Sequence, residues 1–160
     1  MDGNGGEWRG RTVLVTGHMG FKGAWLCLLL ARAGANVTGL GLRDPETRLL
    51  YDDAAVGDVI RSIEGDVRDL AVMLKERGID QVDYVVSGLP VPSFPKDLQH
   101  DLFKVIRDVM APDGEYSQTT EPPLVYTGLY KKSFEPVKFA FAPRHFPPPG
   151  ASHCTAPKAD

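Results

Sequence analysis

Apolar and polar positions alternate along the chain in blocks that switch between strand and helix periods. Thr12-Val13-Leu14-Val15-Thr16 is a compact, largely β-branched run ending at Gly17, the pattern of a buried strand. Phe21 to Ala33 is apolar on nearly every face of a helix, which predicts burial between layers. Gly34 stands where such a helix would end. Asn36 to Leu40 reads as a second strand, Leu49 to Val56 as a short helix and Val59 to Ile63 as a third strand. Asp69 is placed to cap a helix running to Arg77, with Gly78 as its stop.

The second half keeps this alternation. Val82 to Ser87 predicts a strand, broken at once by Pro90, Pro92 and Pro95. From Lys96 to Met110, Leu98, Leu102, Val105, Ile106 and Val109 share one helical face. Pro112-Asp113-Gly114 predicts a turn into a fifth strand, Glu115 to Thr120. A short helix over Val125 to Ser133, a strand at Val137 to Phe141 and a weak last strand near Ser152 to Thr155 complete the series. Strands alternating with helices predict an α/β fold: one Rossmann-like, doubly wound and mostly parallel sheet, ordered 3-2-1-4-5 with a C-terminal hairpin or pair. Met1 to Glu7 is rich in Gly and expected to fray.

Composition narrows the partners. The 160 residues fall within the ~100–200 of one domain, and a net charge of −3 lacks the basic excess of a nucleic-acid binder. Glycine is concentrated in the first half and proline in the second, as if two stretches of different character met. Cys27 and Cys154 give no disulfide framework; Cys27, inside an apolar run, reads as a small buried hydrophobe. His18, His100, His145 and His153 are too scattered for a metal site. The longest apolar stretch, Ala24 to Ala31, is far short of the ~20 residues that span a bilayer, and Met1 to Gly10 carries no basic and apolar leader pattern. These features lead to the expectation of a cytoplasmic protein.

The chemistry is concentrated in Gly17-His18-Met19-Gly20-Phe21-Lys22-Gly23, with glycines at i, i+3 and i+6 between a strand and a helix. In that context Gly17 permits the tight turn, Gly20 lets backbone amides approach a pyrophosphate and Gly23 lets helix and strand pack closely. The helix N-terminus stabilises the anion. The same spacing also serves as a tight strand-to-helix turn without a ligand. About 20 residues beyond the loop, where an acid binds a free ribose hydroxyl, stand Arg43 and Asp44. Asp44 would favour NAD, Arg43 could hold a 2′-phosphate, and either could be a solvated loop charge.

Residues 8–26, Trp-Arg-Gly-Arg-Thr-Val-Leu-Val-Thr-Gly-His-Met-Gly-Phe-Lys-Gly-Ala-Trp-Leu, resemble the opening of CDP-glucose 4,6-dehydratase, an extended short-chain dehydrogenase/reductase of the NAD-dependent epimerase/dehydratase family. Gly65-Asp66-Val67-Arg68-Asp69 is similar to that family's element after the third strand. The resemblance covers about residues 8–75. It implies NAD as cofactor, bound by Gly17, Gly20, Gly23 and Asp66, with Phe21 and Lys22 in the phosphate loop, Val67 beside Asp66, and Asp44 preferred at the ribose. The family's chemistry uses a Tyr-x-x-x-Lys pair, in which lysine lowers the tyrosine pKa. Tyr51, Tyr84, Tyr116, Tyr126 and Tyr130 are followed four residues on by Ala55, Gly88, Thr120, Tyr130 and Phe134. No tyrosine has its lysine, so dehydratase turnover is not expected.

Asp83-Tyr84-Val85-Val86-Ser87-Gly88-Leu89-Pro90, followed by Phe94-Pro95, instead resembles the segment after the fourth strand in S-adenosylmethionine-dependent methyltransferases of the phospholipid N-methyltransferase and rRNA adenine dimethylase type. Leu102 to Thr120 and Pro143 to Pro148 are similar to later elements of those proteins, so this likeness covers about residues 79–155. It implies that Ser87, Gly88, Leu89 and Pro90 lie beside a methyl-accepting nitrogen; a proline-stiffened strand exit is the structural alternative. The chain therefore reads as a dinucleotide-binding half and a methyltransferase-like half joined near Met73 to Ile79. Three functions compete: an NAD-binding, dehydratase-like protein without its catalytic pair, an S-adenosylmethionine-dependent methyltransferase, and a non-catalytic relic. A nucleotide or dinucleotide is the expected small-molecule partner.

Overall fold

The computed structural model describes residues 5–43, 50–120, 134, 137–141 and 150–155. The expected helix over 125–133, the 143–148 element and Asp44 lie outside them. A one-turn helix, α1 (Gly5–Trp8), precedes β1 (Thr12–Thr16). It forms where fraying was expected because Trp8 packs on Tyr84, with ring centroids 4.9 Å apart. Then follow α2 (Phe21–Arg32), β2 (Asn36–Gly41), α3 (Leu50–Asp53), β3 (Arg61–Glu64) and α4 (Leu70–Lys75). The second half supplies β4 (Val82–Ser87), α5 (Lys96–Val109), β5 (Met110–Thr120), β6 (Val137–Phe141) and β7 (Gly150–Thr155).

These strands form one sheet in the order β3-β2-β1-β4-β5-β7-β6. Strands β1 to β5 are parallel, and β7 runs antiparallel between β5 and β6. Alternation along β1 divides the core. Leu14 joins the cluster beneath α4 and α5, with Leu70, Leu102, Ile106 and Tyr116. Val13 and Val15 join the cluster beneath α2, with Ala24, Cys27 and Leu30. Two layers of helices thus cover a parallel sheet whose strands are apolar on both sides. The sheet is continuous across 73–79, because β1 pairs directly with β4.

Three local details differ from the expected pattern and one agrees with it. The helix α2 is buried on one face only; Phe21, Trp25 and Leu29, spaced four apart, are exposed, since among the described residues no element packs over its outer side. Asp69 stands at the cap position of α4 but makes no side-chain cap bond there; the carboxylate that caps is that of Asp66, which accepts the Arg68 N–H at 2.9 Å and opens the 3₁₀ turn leading into α4. The stop at Gly78 holds, since Gly78 N–H and Ile79 N–H donate to the Lys75 and Leu74 carbonyls with Gly78 at φ +70°, the paired bonds of a left-handed helix end. Finally, β5 starts at Met110 directly from α5. The Pro112-Asp113-Gly114 turn becomes a bulge inside it, where two steps along β4, Val82 to Tyr84, face five along β5, Met110 to Glu115.

Candidate functional site

In a parallel sheet the ligand crevice lies beyond the carboxyl ends of the strands, where neighbouring connections diverge. Here that point is between β1 and β4. A cavity of about 350 Å³ opens there, floored by Thr16, Gly17, Met19, Gly20, Leu40 to Leu42 and Gly65 to Val67, and roofed by Leu89, Phe94 and Leu98. The floor comes from the stretch that resembles a dehydratase, the roof from the stretch that resembles a methyltransferase. A larger groove of about 650 Å³ lies at the opposite, amino-terminal edge of the sheet, between Asn36, Arg61 and Asp80. It lacks the loop that defines the site.

The glycine loop takes its shape from three backbone bonds. Gly17 N–H donates to the Leu40 carbonyl at 2.8 Å, Gly20 N–H to Gly17 at 3.1 Å and Ala24 N–H to Gly20 at 2.8 Å. Gly17 has φ +75°, a conformation that glycine adopts at no steric cost. A Cβ on Gly23 would overlap the Gly17 carbonyl and stand 2.8 Å from His18 Cα, so this glycine serves close packing of helix on loop. Gly20 has an ordinary extended backbone, φ −70° and ψ 161°, and a Cβ there would meet only the Gly17 carbonyl, at 3.4 Å. The first turn of α2 carries no acidic residue, which leaves its amino end fit for an anion.

His18 is a packing residue. Its ring is fully buried over Gly39 and Gly41, where added side chains would meet it. The ring lies edge-on to Tyr51 at 5.2 Å and bonds Ser62 Oγ through Nε2 at 2.7 Å. Burial pushes its pKa below the ordinary histidine value, against the opposing pull of the Leu40 backbone. The cysteines are likewise buried, which raises both thiols to about 12. Among the described residues no group of three or more His, Cys, Asp or Glu could hold a metal ion.

Among the described residues Asp66 is the one carboxylate in the cavity lining. It accepts from Arg68 N–H at 2.9 Å, Nε at 3.0 Å and Nη2 at 2.7 Å, and those bonds hold its pKa down to about 2. A carboxylate has about four acceptor sites, so three donors leave room for one from a ligand. Of the other expected site residues, Gly17, Gly20, Val67 and Leu89 line the cavity. Phe21 and Lys22 are exposed at the start of α2. Arg43 pairs with Asp52 at 2.6 Å and is not in the lining. Ser87 is buried, while Gly88 and Pro90 are exposed, and none of the three is in the lining. The described tyrosines serve packing: Tyr51 against His18, Tyr84 against Trp8, and Tyr116 stacked on Phe134 at 5.0 Å.

The roof is pinned from two sides by residues whose roles the sequence does not announce. Gln118, buried on β5, donates through Nε2 to the Leu89 carbonyl at 2.8 Å and accepts from the Tyr116 hydroxyl at 2.6 Å. Gln99 on α5 donates to the Phe94 carbonyl at 2.9 Å. Thr16, Ser87 and Gln118 are register partners across β1, β4 and β5 and all are fully buried. They form a polar row along the carboxyl edge of an apolar sheet.

The class defined by this fold and site is a Rossmann-like α/β protein with a nucleotide-sized crevice. Comparison with known proteins finds two likenesses that overlap along the chain. The sequence profile of the NAD dependent epimerase/dehydratase family matches residues 13–89. CDP-glucose 4,6-dehydratase of Salmonella typhimurium is 45% identical over 62 residues, 39% of this chain and 17% of that protein. Ornithine lipid N-methyltransferase of Singulisphaera acidiphila is 52% identical over 117 residues, 72% of this chain and 61% of that protein. The two shares together exceed the whole, so part of the chain is matched by both. The chain thus spans less than two thirds of either relative. Among solved structures, the 1,6-didemethyltoxoflavin N1-methyltransferase of Burkholderia thailandensis superposes with a TM-score of 0.65 at 19% identity, over 95% of this chain and 72% of that one. The chain is similar to both families, and its whole sheet has the fold of a methyltransferase.

Proposed function

We propose that the crevice binds the adenosyl part of S-adenosylmethionine and that the chain is an N-methyltransferase acting on an amine, in a lipid headgroup by analogy with its longer match. The observation that supports this reading most strongly is the 52% identity over 117 residues to ornithine lipid N-methyltransferase. The cavity fits the adenosyl group. Its volume suits a nucleoside, Leu40 and Val67 offer apolar flanks for a base, and Asp66 keeps an acceptor site for an amino or hydroxyl group. The cofactor, when bound, supplies an electrophilic methyl group. The chain's part is to orient it: the Gly17–Gly20 turn holds the backbone low under the ligand, and Leu89, Phe94 and Leu98 exclude water from above. Gly88, an exposed residue beside Leu89, offers a backbone carbonyl to an entering amine.

The α2 amino end favours a second reading. Gly20, with no acid in the turn that follows, suits the pyrophosphate of NAD, as the profile match over 13–89 suggests. Sugar dehydration is not part of that reading, because no Tyr-x-x-x-Lys pair exists. Methyl-labelled S-adenosylmethionine incubated with the chain and vesicles bearing an amine-headgroup lipid tests the first reading. Label should enter the lipid; no incorporation, with NAD bound instead, would favour the second.

A further inference from the structure

We propose that Gln118 is a positioning residue that fixes the roof loop, Gly88 to Phe94, over the cofactor crevice. The proposal rests on the methyltransferase reading for its ligand, and on geometry alone for its mechanics. The Leu89 carbonyl already receives two donors, Val91 N–H at 2.8 Å and Gln118 Nε2 at 2.8 Å. A carbonyl oxygen has two lone pairs, so Leu89 has none left for a substrate. Gly88 is held differently: its N–H donates to the Thr16 carbonyl at 3.0 Å, which ties the start of the loop to the end of β1.

Gln118 can serve this purpose because its amide is oriented. The Tyr116 hydroxyl donates to Oε1 at 2.6 Å, which turns Nε2 toward Leu89, and Tyr116 is fixed by its stack on Phe134 and its edge contact with Phe103. The chain of contacts therefore runs from the aromatic core to the loop. Gln99 holds the far end through Phe94. With both ends tied, the Leu89 and Phe94 side chains stay over the crevice.

The test is hydrogen exchange of the loop amides in the intact chain, read beside calorimetric binding of S-adenosylhomocysteine. Gln118→Leu removes the donor and should lower loop protection about tenfold, the upper end of one lost hydrogen bond, with ligand binding weakened in parallel. Gln118→Glu keeps the size and the acceptor for Tyr116. Protonated at low pH, the new carboxyl can donate to Leu89; ionised, it cannot. Its protection, corrected by the wild type at each pH, should approach the wild-type level near about pH 5 and fall about tenfold near about pH 8. A pH-independent loss, or wild-type protection in Gln118→Leu, overturns the proposal. If Gln118→Leu fails to fold, Tyr116→Phe decides: it leaves the amide unoriented and should lower loop protection while the rest of the sheet stays protected, and unchanged protection overturns the proposal. A wild type that binds no S-adenosylhomocysteine defeats the functional reading, while the exchange result still judges the anchor.

Discussion

Gly20 and Gly23 belong to one motif but are glycines for different reasons, and substituting each should separate folding from binding. At Gly23 an added Cβ overlaps the Gly17 carbonyl and approaches His18 Cα to 2.8 Å. Both obstacles are backbone, so α2 or the loop must move. Alanine in a helix interior gains about 1 kcal/mol over glycine, while overpacking of this kind costs about 1–3 kcal/mol. Contact with two backbone atoms argues for the upper end, and Gly23→Ala should lose about 1–2 kcal/mol net. For a chain of this length that lowers Tm by about 2–8 °C. Gly20→Ser meets only ordinary contact, at 3.4 Å, and serine is a preferred residue at the helix cap that Gly20 occupies. Its Tm should match the wild type within about 2 °C, while the new side chain enters the cavity and weakens cofactor binding at least about tenfold. Thermal melts and calorimetry of the two variants decide. A Gly23→Ala chain that melts with the wild type, or a Gly20→Ser chain that binds normally, refutes the division.

Three further outcomes follow from the charges. Asp66 has its pKa depressed to about 2, against about 3.9 unfolded, so its contribution is complete above about pH 4 and is lost as pH falls toward 2. Asp66→Asn should flatten the acid limb of a stability–pH curve in that window, and an unchanged limb contradicts the pairing with Arg68. His18 is held neutral by burial; below about pH 6.5 the unfolded chain takes up a proton that the folded chain resists, so stability falls on acidification. His18→Gln should remove that slope in denaturant titrations, and a persisting slope assigns it elsewhere. Arg43 is engaged by Asp52, so Arg43→Ala should leave S-adenosylhomocysteine affinity within about twofold, and a larger loss would place it at the ligand.

The strand and helix series was legible where a strand is a short apolar run, as in β1 and β4, and where a connection carries its own stop, as Gly78 does. The parallel order was legible because βαβ alternation leaves few other topologies. The glycine loop was legible because its chemistry is local: three glycines within seven residues, in strand-to-helix context. The roof was not. Gln118 and Gln99 lie 29 residues and 5 residues from the carbonyls they hold, and a glutamine on a strand carries no signal until its register partner is known. The sequence did place Tyr116 and Gln118 two apart, hence on one face, but nothing local shows that this face turns toward Leu89. Which aspartate after β3 caps through its side chain was not legible for a related reason. Asp66 and Asp69 are equally good capping residues, and only the 3₁₀ turn between them decides which carboxylate meets a free N–H.

Methyl transfer requires that the crevice at the ends of β1 and β4 bind an adenosyl cofactor. Calorimetric titration of the intact chain with S-adenosylhomocysteine and, separately, with NAD tests it most directly. S-adenosylhomocysteine should bind saturably and one to one, more weakly in Gly20→Ser, and NAD should bind at least about tenfold more weakly. Saturable NAD binding without binding of S-adenosylhomocysteine would contradict it.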